Sequence, residues 1–142
     1  MHDTVKEFDQ VTAKCRAIFI NKMSDYGPSW RIFRLHGITD QLYIKACNIR
    51  QRQETGVSLV GDDIPGNLRA IVNYGITAII QSRQGFADAV DMTNEEATKH
   101  YDAVLNEPNA ETIAAIEESR RGEYAGIIDT SSFEAFKQSM GL

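Results

Sequence analysis

Gly27-Pro28 constrains this chain more than any other feature, because neither residue lets a helix run through it. Helical patterns stand on both sides. Ahead of the break, Val5, Phe8, Val11, Cys15, Ile18 and Phe19 recur at helical spacing and predict a helix to about Met23. Thr4-Val5-Lys6-Glu7 reads as a capping box at its start, the hydroxyl and carboxylate satisfying the first free amides. Beyond the break, 30–35 reads as a short helical turn before Gly37. Thr39 then caps a second long helix with Leu42, Ala46, Ile49 and Gln53 in one stripe. Residues 56–61 read as loop, with a small extended piece at 57–60. Asp62-Asp63-Ile64-Pro65 is a helix start, with acids at the positive helix end and proline pre-set for the first turn. The helix it opens carries Leu68, Ile71, Val72, Gly75, Ile76, Ile79 and Ile80, the most apolar stretch of the chain, and is the expected centre of the core.

The last third changes character. Thr93-Asn94-Glu95-Glu96 is a second capping box, opening a helix through Leu105 that Pro108-Asn109 breaks. Asn109 caps a short charged helix ending at Gly122, 124–128 has strand-like composition, and Ser131-Ser132-Phe133-Glu134 opens a last helix. These elements are amphipathic but thin, too thin to bury a core of their own. Charge shifts at the same place. Residues 1–86 hold 11 Lys and Arg against 8 Asp and Glu, whereas residues 87–142 hold 4 against 12, giving the net charge of −5. The expected fold is mainly α: a small helical bundle-like domain over 1–86, a connecting helix over 87–106, and a helix–extended–helix appendage over 107–142.

Composition closes off several functions. With 42% hydrophobic and 25% charged residues and no apolar run near the ~20 needed to span a bilayer, the chain reads as soluble and without membrane partners. Its N-terminus, M-H-D-T-V-K-E, lacks an apolar leader core, so the cytoplasm is the expected compartment. Cys15 and Cys47 sit in helical patterns and read as buried, reduced thiols. His2, His36 and His100 are scattered, so no nucleophile set can be argued. Glycine-rich phosphate loops are absent, and so are the E-x-x-E and E-x-x-D carboxylate pairs with which helical nucleotide hydrolases grip Mg²⁺. No metal site or cofactor is evident, Mg²⁺ enters only if nucleotides are processed, and the reading leans away from an enzyme.

What the front of the chain offers is binding chemistry. Lys22, Arg31, Lys45, Arg50 and Arg52 are anion-binding types that converge if the 25–31 loop, D-Y-G-P-S-W-R, folds over the second helix. Lys45 and Arg52, seven apart, share a helical face. Trp30 and Tyr26 are of the kind that stack on a base, and Asp25, Asp40 and Asn73 could read polar edges. The competing account makes Trp30 core, the bases a solvated face, and Asp40 a cap.

Several blocks, in order, carry a resemblance: K-C-R-A-I-F-I-N-K-M-S-D-Y-G-P-S-W-R, T-D-Q-L-Y-I-K-A-C-N-I-R, G-D-D-I-P and I-V-N-Y-G-I. Over residues 5–81 the chain resembles the nucleotide-modification-associated helical domain of phage and bacterial proteins. The resemblance implies a nucleotide ligand, and its recurrent residues fall on Asp25, Tyr26, Gly27, Trp30, Arg31, Asp40, Lys45, Arg50, Asn73 and Tyr74. Gly66 and Asn67 stand where relatives tend to carry an acid, and the second D-Y-G…W-R unit that some relatives carry is absent. Both departures argue against carrying a catalytic role across.

A second stretch, N-A-E-T-I-A-A-I-E-E-S-R-R-G followed by the paired-phenylalanine helix, makes residues 108–142 similar to the toxin-neutralising tail of RelB/DinJ-type antitoxins. That resemblance implies a binding protein whose acidic tail wraps a small basic RelE-like ribonuclease toxin. Ile113, Ile116, Ile127, Ile128, Phe133, Phe136 and Met140 would be the apolar anchors. Such antitoxins begin with a DNA-binding ribbon-helix-helix, which this chain lacks, so direct DNA binding does not carry over. The alternative is a nucleotide-binding or nucleotide-processing protein with a purely structural tail.

Overall fold

The structure is a computed structural model that describes residues 3–58, 61–107, 110–122 and 131–139. It is mainly α: helices α1 (Thr4–Tyr26), α2 (Leu35–Thr55), α3 (Ile64–Gln84), α4 (Asn94–Leu105), α5 (Ala110–Arg120) and α6 (Phe133–Ser139), with a 3-10 turn at Ser29–Ile32. There is no strand among the described residues, and no described helix is long and apolar enough to cross a membrane. The chain divides into two compact units, 1–106 and 107–142.

In the first unit, α1 starts one residue earlier than the Thr4 box implies. Asp3 is the N-cap, its Oδ1 accepting from the Lys6 amide at 3.2 Å. A carboxylate at the positive helix end is favoured by the dipole as well as by the hydrogen bond. The helix also runs three residues past Met23, so Asp25 and Tyr26 belong to its last turn rather than to a loop. Gly27 stops it at φ +69°, where side chains other than glycine are strained, and its amide donates to the Met23 carbonyl at 2.7 Å.

Thr39 does not open α2. The helix begins at Leu35, and the Thr39 hydroxyl donates back to the Leu35 carbonyl at 3.0 Å. Gly37 is tolerated inside it because packing outweighs the ~1 kcal/mol that an interior glycine costs; Ile38, the next residue, is fully buried. The predicted α2 stripe is only half-buried, with Ala46 exposed, and Cys47 is exposed while Cys15 is buried. α3 begins where the acidic signal places it. The Asp63 carboxylate accepts from the Gly66 amide at 2.8 Å, with Pro65 in the first turn. A Cβ on Gly66 would sit 2.7 Å from Cβ of Asp62, so the tight start needs glycine.

α3 packs against α2, α1 and α4 and is the central helix. Its inward face is not the predicted one. Ile76 and Ile80 are buried, but Leu68, Val72 and Ile79 are exposed, and Asn67, Thr77 and Gln81 take inward positions. Polar residues can do so because each is hydrogen-bonded to nearby carbonyls. The predicted stripe on α1 divides too: Cys15 and Phe19 are buried, Ile18 half-buried, and Val5, Phe8 and Val11 exposed.

The Thr93 capping box forms as read, with the Glu96 amide on the Thr93 hydroxyl at 3.1 Å and the Thr93 amide on the Glu96 carboxylate at 2.8 Å. Far from being thin, α4 closes the core. Ala97 and Tyr101 are fully buried with Phe19, Met23, Trp30, Ile76 and Ile80. α4 runs antiparallel to α1: the Asn94 side chain donates to the Met23 carbonyl at 3.0 Å, and Arg16 clasps Asp102 at 2.7 and 3.0 Å. The Phe19 ring stacks on Tyr101 at 4.4 Å between centroids.

In the second unit, the Ser132 hydroxyl accepts from the Ala135 amide at the start of α6. Ile127, Ile128 and Met140, the side chains of Phe133 and Phe136, and the strand-like 124–128 lie outside the described residues.

The Tyr101 hydroxyl donates to Asn73 Oδ1 at 2.7 Å in this buried setting. Tyr101→Phe is expected to cost about 1–2 kcal/mol, because the Asn73 oxygen loses its donor. Urea denaturation of the two proteins measures it, and equal midpoints would contradict the assignment.

Candidate functional site

Three elements meet at a cavity of about 270 Å³. α1 supplies Phe19, Lys22, Met23 and Tyr26, which at positions i, i+3, i+4 and i+7 share one face. The break and the 3-10 turn supply Gly27, Ser29 and Trp30, with Phe33 just beyond. α3 supplies Ala70, Asn73, Tyr74 and Thr77, again at helical spacing. The wall is chiefly aromatic, and Lys22 is its one charged side chain.

The polar groups differ in what they have left to offer. Asn73 is engaged on both ends: an amide N–H donates to the Cys15 carbonyl at 3.0 Å and the oxygen accepts from Tyr101. The Thr77 hydroxyl donates to the Tyr74 carbonyl at 3.0 Å. The Lys22 ammonium and the Ser29 and Tyr74 hydroxyls carry no hydrogen bond or ion pair among the described residues. Burial, with the neighbouring Tyr74 and Asp25, raises the Tyr26 pKa above its ordinary value, so its phenol stays a neutral donor at physiological pH. Trp30 is 8% exposed, and its enclosed indole N–H has no acceptor. A buried donor left alone costs about 1–3 kcal/mol.

Arg31 is no ligand group in this arrangement. It is 3% exposed and spends its fork inside the protein. Nε and Nη2 hold the Asp91 carboxylate at 2.8 and 3.1 Å, and Nη1 donates to Gln81 Oε1 and to the Gly85 carbonyl. Gln81 completes the cluster, its amide nitrogen donating to the carbonyls of Trp30, Arg31 and Phe33 at 3.2, 2.9 and 2.7 Å. Together they pin the turn that carries Trp30. The guanidinium lies 6.0 Å from the Trp30 ring centroid, at the outer limit of a cation–π contact.

Of the sequence-derived candidates, Lys22, Tyr26, Gly27, Trp30, Asn73 and Tyr74 are brought together at the cavity, and Arg31, Asp25, Asp40, Lys45 and Arg50 are not among its lining. The bases of α2 have other partners. Lys45 reaches Asp62 at 3.7 Å, and Arg52 reaches the Gly61 carbonyl at 3.3 Å, so the face they share faces the loop before α3. Arg50 pairs with Glu54 one turn on, largely in solvent. Asp25 and Asp40 are exposed. Phe19, Met23, Ser29, Phe33, Ala70 and Thr77 escaped sequence reasoning. For Phe19, Met23, Ala70 and Thr77 the signal is helical spacing from Lys22, Tyr26, Asn73 and Tyr74, while Ser29 and Phe33 lie on or beside the turn, where no helical period applies. No three His, Cys, Asp or Glu side chains among the described residues are placed to hold a metal ion.

Comparison with known families bears on this cavity directly. Residues 22–82 match the family model of nucleotide modification associated domain 1. The match begins at Lys22, and the resemblance read from the sequence runs over residues 5–81. Every residue lining the cavity except Phe19 lies inside that domain. The match does not extend to residues 108–142, and nothing found supports an antitoxin-like tail. No curated protein and no solved structure matches the chain significantly.

Asp91 gives the clamp a pH signature. Hydrogen bonding to Arg31 lowers its pKa below the ordinary 3.8, against a smaller opposing effect of burial. A carboxylate depressed in the folded state contributes stability that is present above its unfolded pKa and lost as pH falls through the folded one. The urea midpoint of the native protein is therefore expected to fall more steeply below about pH 4 than that of Asp91→Asn. Parallel pH profiles would contradict the pairing.

Proposed function

We propose that the domain over residues 22–82 binds a nucleotide, with the base stacked among Trp30, Tyr26 and Tyr74. The observation that carries this reading is the aromatic cavity lying within the family-matched segment. Stacking on an aromatic face contributes about 1–3 kcal/mol per base and suits any base, because every base has a π-face. The Tyr26 and Tyr74 phenols add hydrogen-bonding groups at the same wall. The indole N–H is a donor that the protein itself leaves unused. At about 270 Å³ the cavity is near the lower end of ligand pockets, which run from roughly 300 Å³ upward. The role that fits is binding rather than catalysis, since the lining holds neither a carboxylate nor a histidine.

Trp30 is the chain's one tryptophan, so its fluorescence reports on this wall alone. Nucleotides are expected to quench it saturably, and Tyr74→Ala to weaken the response at least tenfold while leaving the circular dichroism unchanged. Absence of any response to the common ribo- and deoxyribonucleotides would contradict the reading.

A second reading concerns the tail. Ile113 and Ile116, three apart on α5, are 42% and 43% exposed, and residues 107–142 carry 7 acids against 3 bases. An exposed apolar pair in an acidic segment suits a basic partner, and we infer that a small RelE-like ribonuclease toxin is the kind it fits. Adding such a toxin is expected to protect residues 107–142 from limited proteolysis, and Ile113→Asp with Ile116→Asp to remove that protection. A tail equally resistant with and without the toxin would sink this second reading.

A further inference from the structure

We infer that the ligand of the 22–82 pocket is a nucleoside 5′-monophosphate and that Lys22 makes its phosphate contact. The inference rests on the nucleotide-binding reading and adds the number of phosphates and the residue that holds them.

A triphosphate carries up to four negative charges near neutral pH, and proteins meet them with several cations, a glycine-rich nest of amides, or Mg²⁺ held by carboxylates. The sequence suggests such a set, with Lys22, Arg31, Lys45, Arg50 and Arg52 converging. The geometry takes it apart. Arg31 is buried against Asp91, Gln81 and Gly85; Lys45 faces Asp62; Arg52 donates to the Gly61 carbonyl; Arg50 pairs with Glu54. None of these four lines the cavity, and no carboxylate lines it to carry a metal.

Lys22 is what remains. It stands at the wall four residues before Tyr26, so its ammonium and the Tyr26 ring rise from one helical face. It is exposed and has no carboxylate partner among the described residues. An exposed lysine is a compact point charge on a flexible stem, which suits one solvent-accessible phosphate rather than a chain of three. The hydroxyl of Ser29, on the turn beside Trp30, is a further donor at the same wall. Base among the aromatics and phosphate toward Lys22 is the arrangement this lining allows.

The test is a fluorescence titration of the full chain with a nucleoside, its 5′-monophosphate and its 5′-triphosphate, the last with and without Mg²⁺, for each common base. The monophosphate of at least one base is expected to bind about tenfold or more tighter than its nucleoside, with the triphosphate no tighter than the monophosphate. Lys22→Met is expected to bring the monophosphate down to the nucleoside's affinity and to leave the nucleoside's own affinity in place. Because that affinity is retained, a variant that merely failed to fold would be recognised. A triphosphate bound tenfold tighter than the monophosphate, or a Lys22→Met protein that keeps the monophosphate's advantage, would overturn the inference while leaving nucleotide binding standing. No binding of any member would overturn both.

Discussion

Gln81 is the residue on which the front unit turns. One buried amide nitrogen gathers three carbonyls of the 30–33 segment, and its oxygen receives Arg31. The 3-10 turn closes its own backbone bonds, Arg31 to Pro28 and Phe33 to Trp30, and the contacts that anchor it to α3 come from side chains. α3 supplies them through one side chain, and Arg31 extends the cluster to Gly85 and Asp91. The break between α1 and α2 thereby becomes a fixed element. It places Trp30 against Phe19 in the core on one side and along the cavity on the other.

That dual placement explains why core and pocket share residues. Phe19, Met23 and Trp30 belong to the buried cluster and also line the cavity. α4, through Tyr101 and Asn73, fixes α3 from behind, and Arg16 with Asp102 fixes α4 to α1. The pocket is thus carried on helices that the core holds, which keeps a binding site more precise than loops alone would. Its chemistry is correspondingly simple: aromatic faces, two phenols, the Ser29 and Thr77 hydroxyls, the Asn73 amide and one lysine.

Much of the helix plan could be read from the chain because local chemistry decides it. Gly27-Pro28, Asp63 with Pro65, and the Thr93 box act within four residues and leave little to tertiary context. Thr39 misled because Ile38 is fully buried, and that packing carries the helix back to Leu35. α3 misled in its facing because it is apolar nearly all round, so periodicity alone could not say which side is inward. Asn67 and Thr77 turn inward on carbonyls of their own helix or just before it, whereas Gln81 does so on the distant carbonyls of Trp30, Arg31 and Phe33. The site was legible by half for the same reason. Trp30, Tyr26 and Lys22 stand out as types, but nothing local says that Arg31 turns inward while Lys22 does not. Asp91, sixty residues on, is what draws the guanidinium into the protein.

The central claim is that Gln81 seats Trp30 as the wall against which a nucleotide lies. The indole ¹H–¹⁵N cross-peak tests it most directly, since one tryptophan gives one peak. Titrating nucleoside 5′-monophosphates into the native protein is predicted to move that peak progressively. The same titration into Gln81→Leu, its helices verified by circular dichroism, is predicted to leave the peak in place. A native indole peak that stays still while ligand binds, or a Gln81→Leu peak that moves as the native one does, would contradict the account.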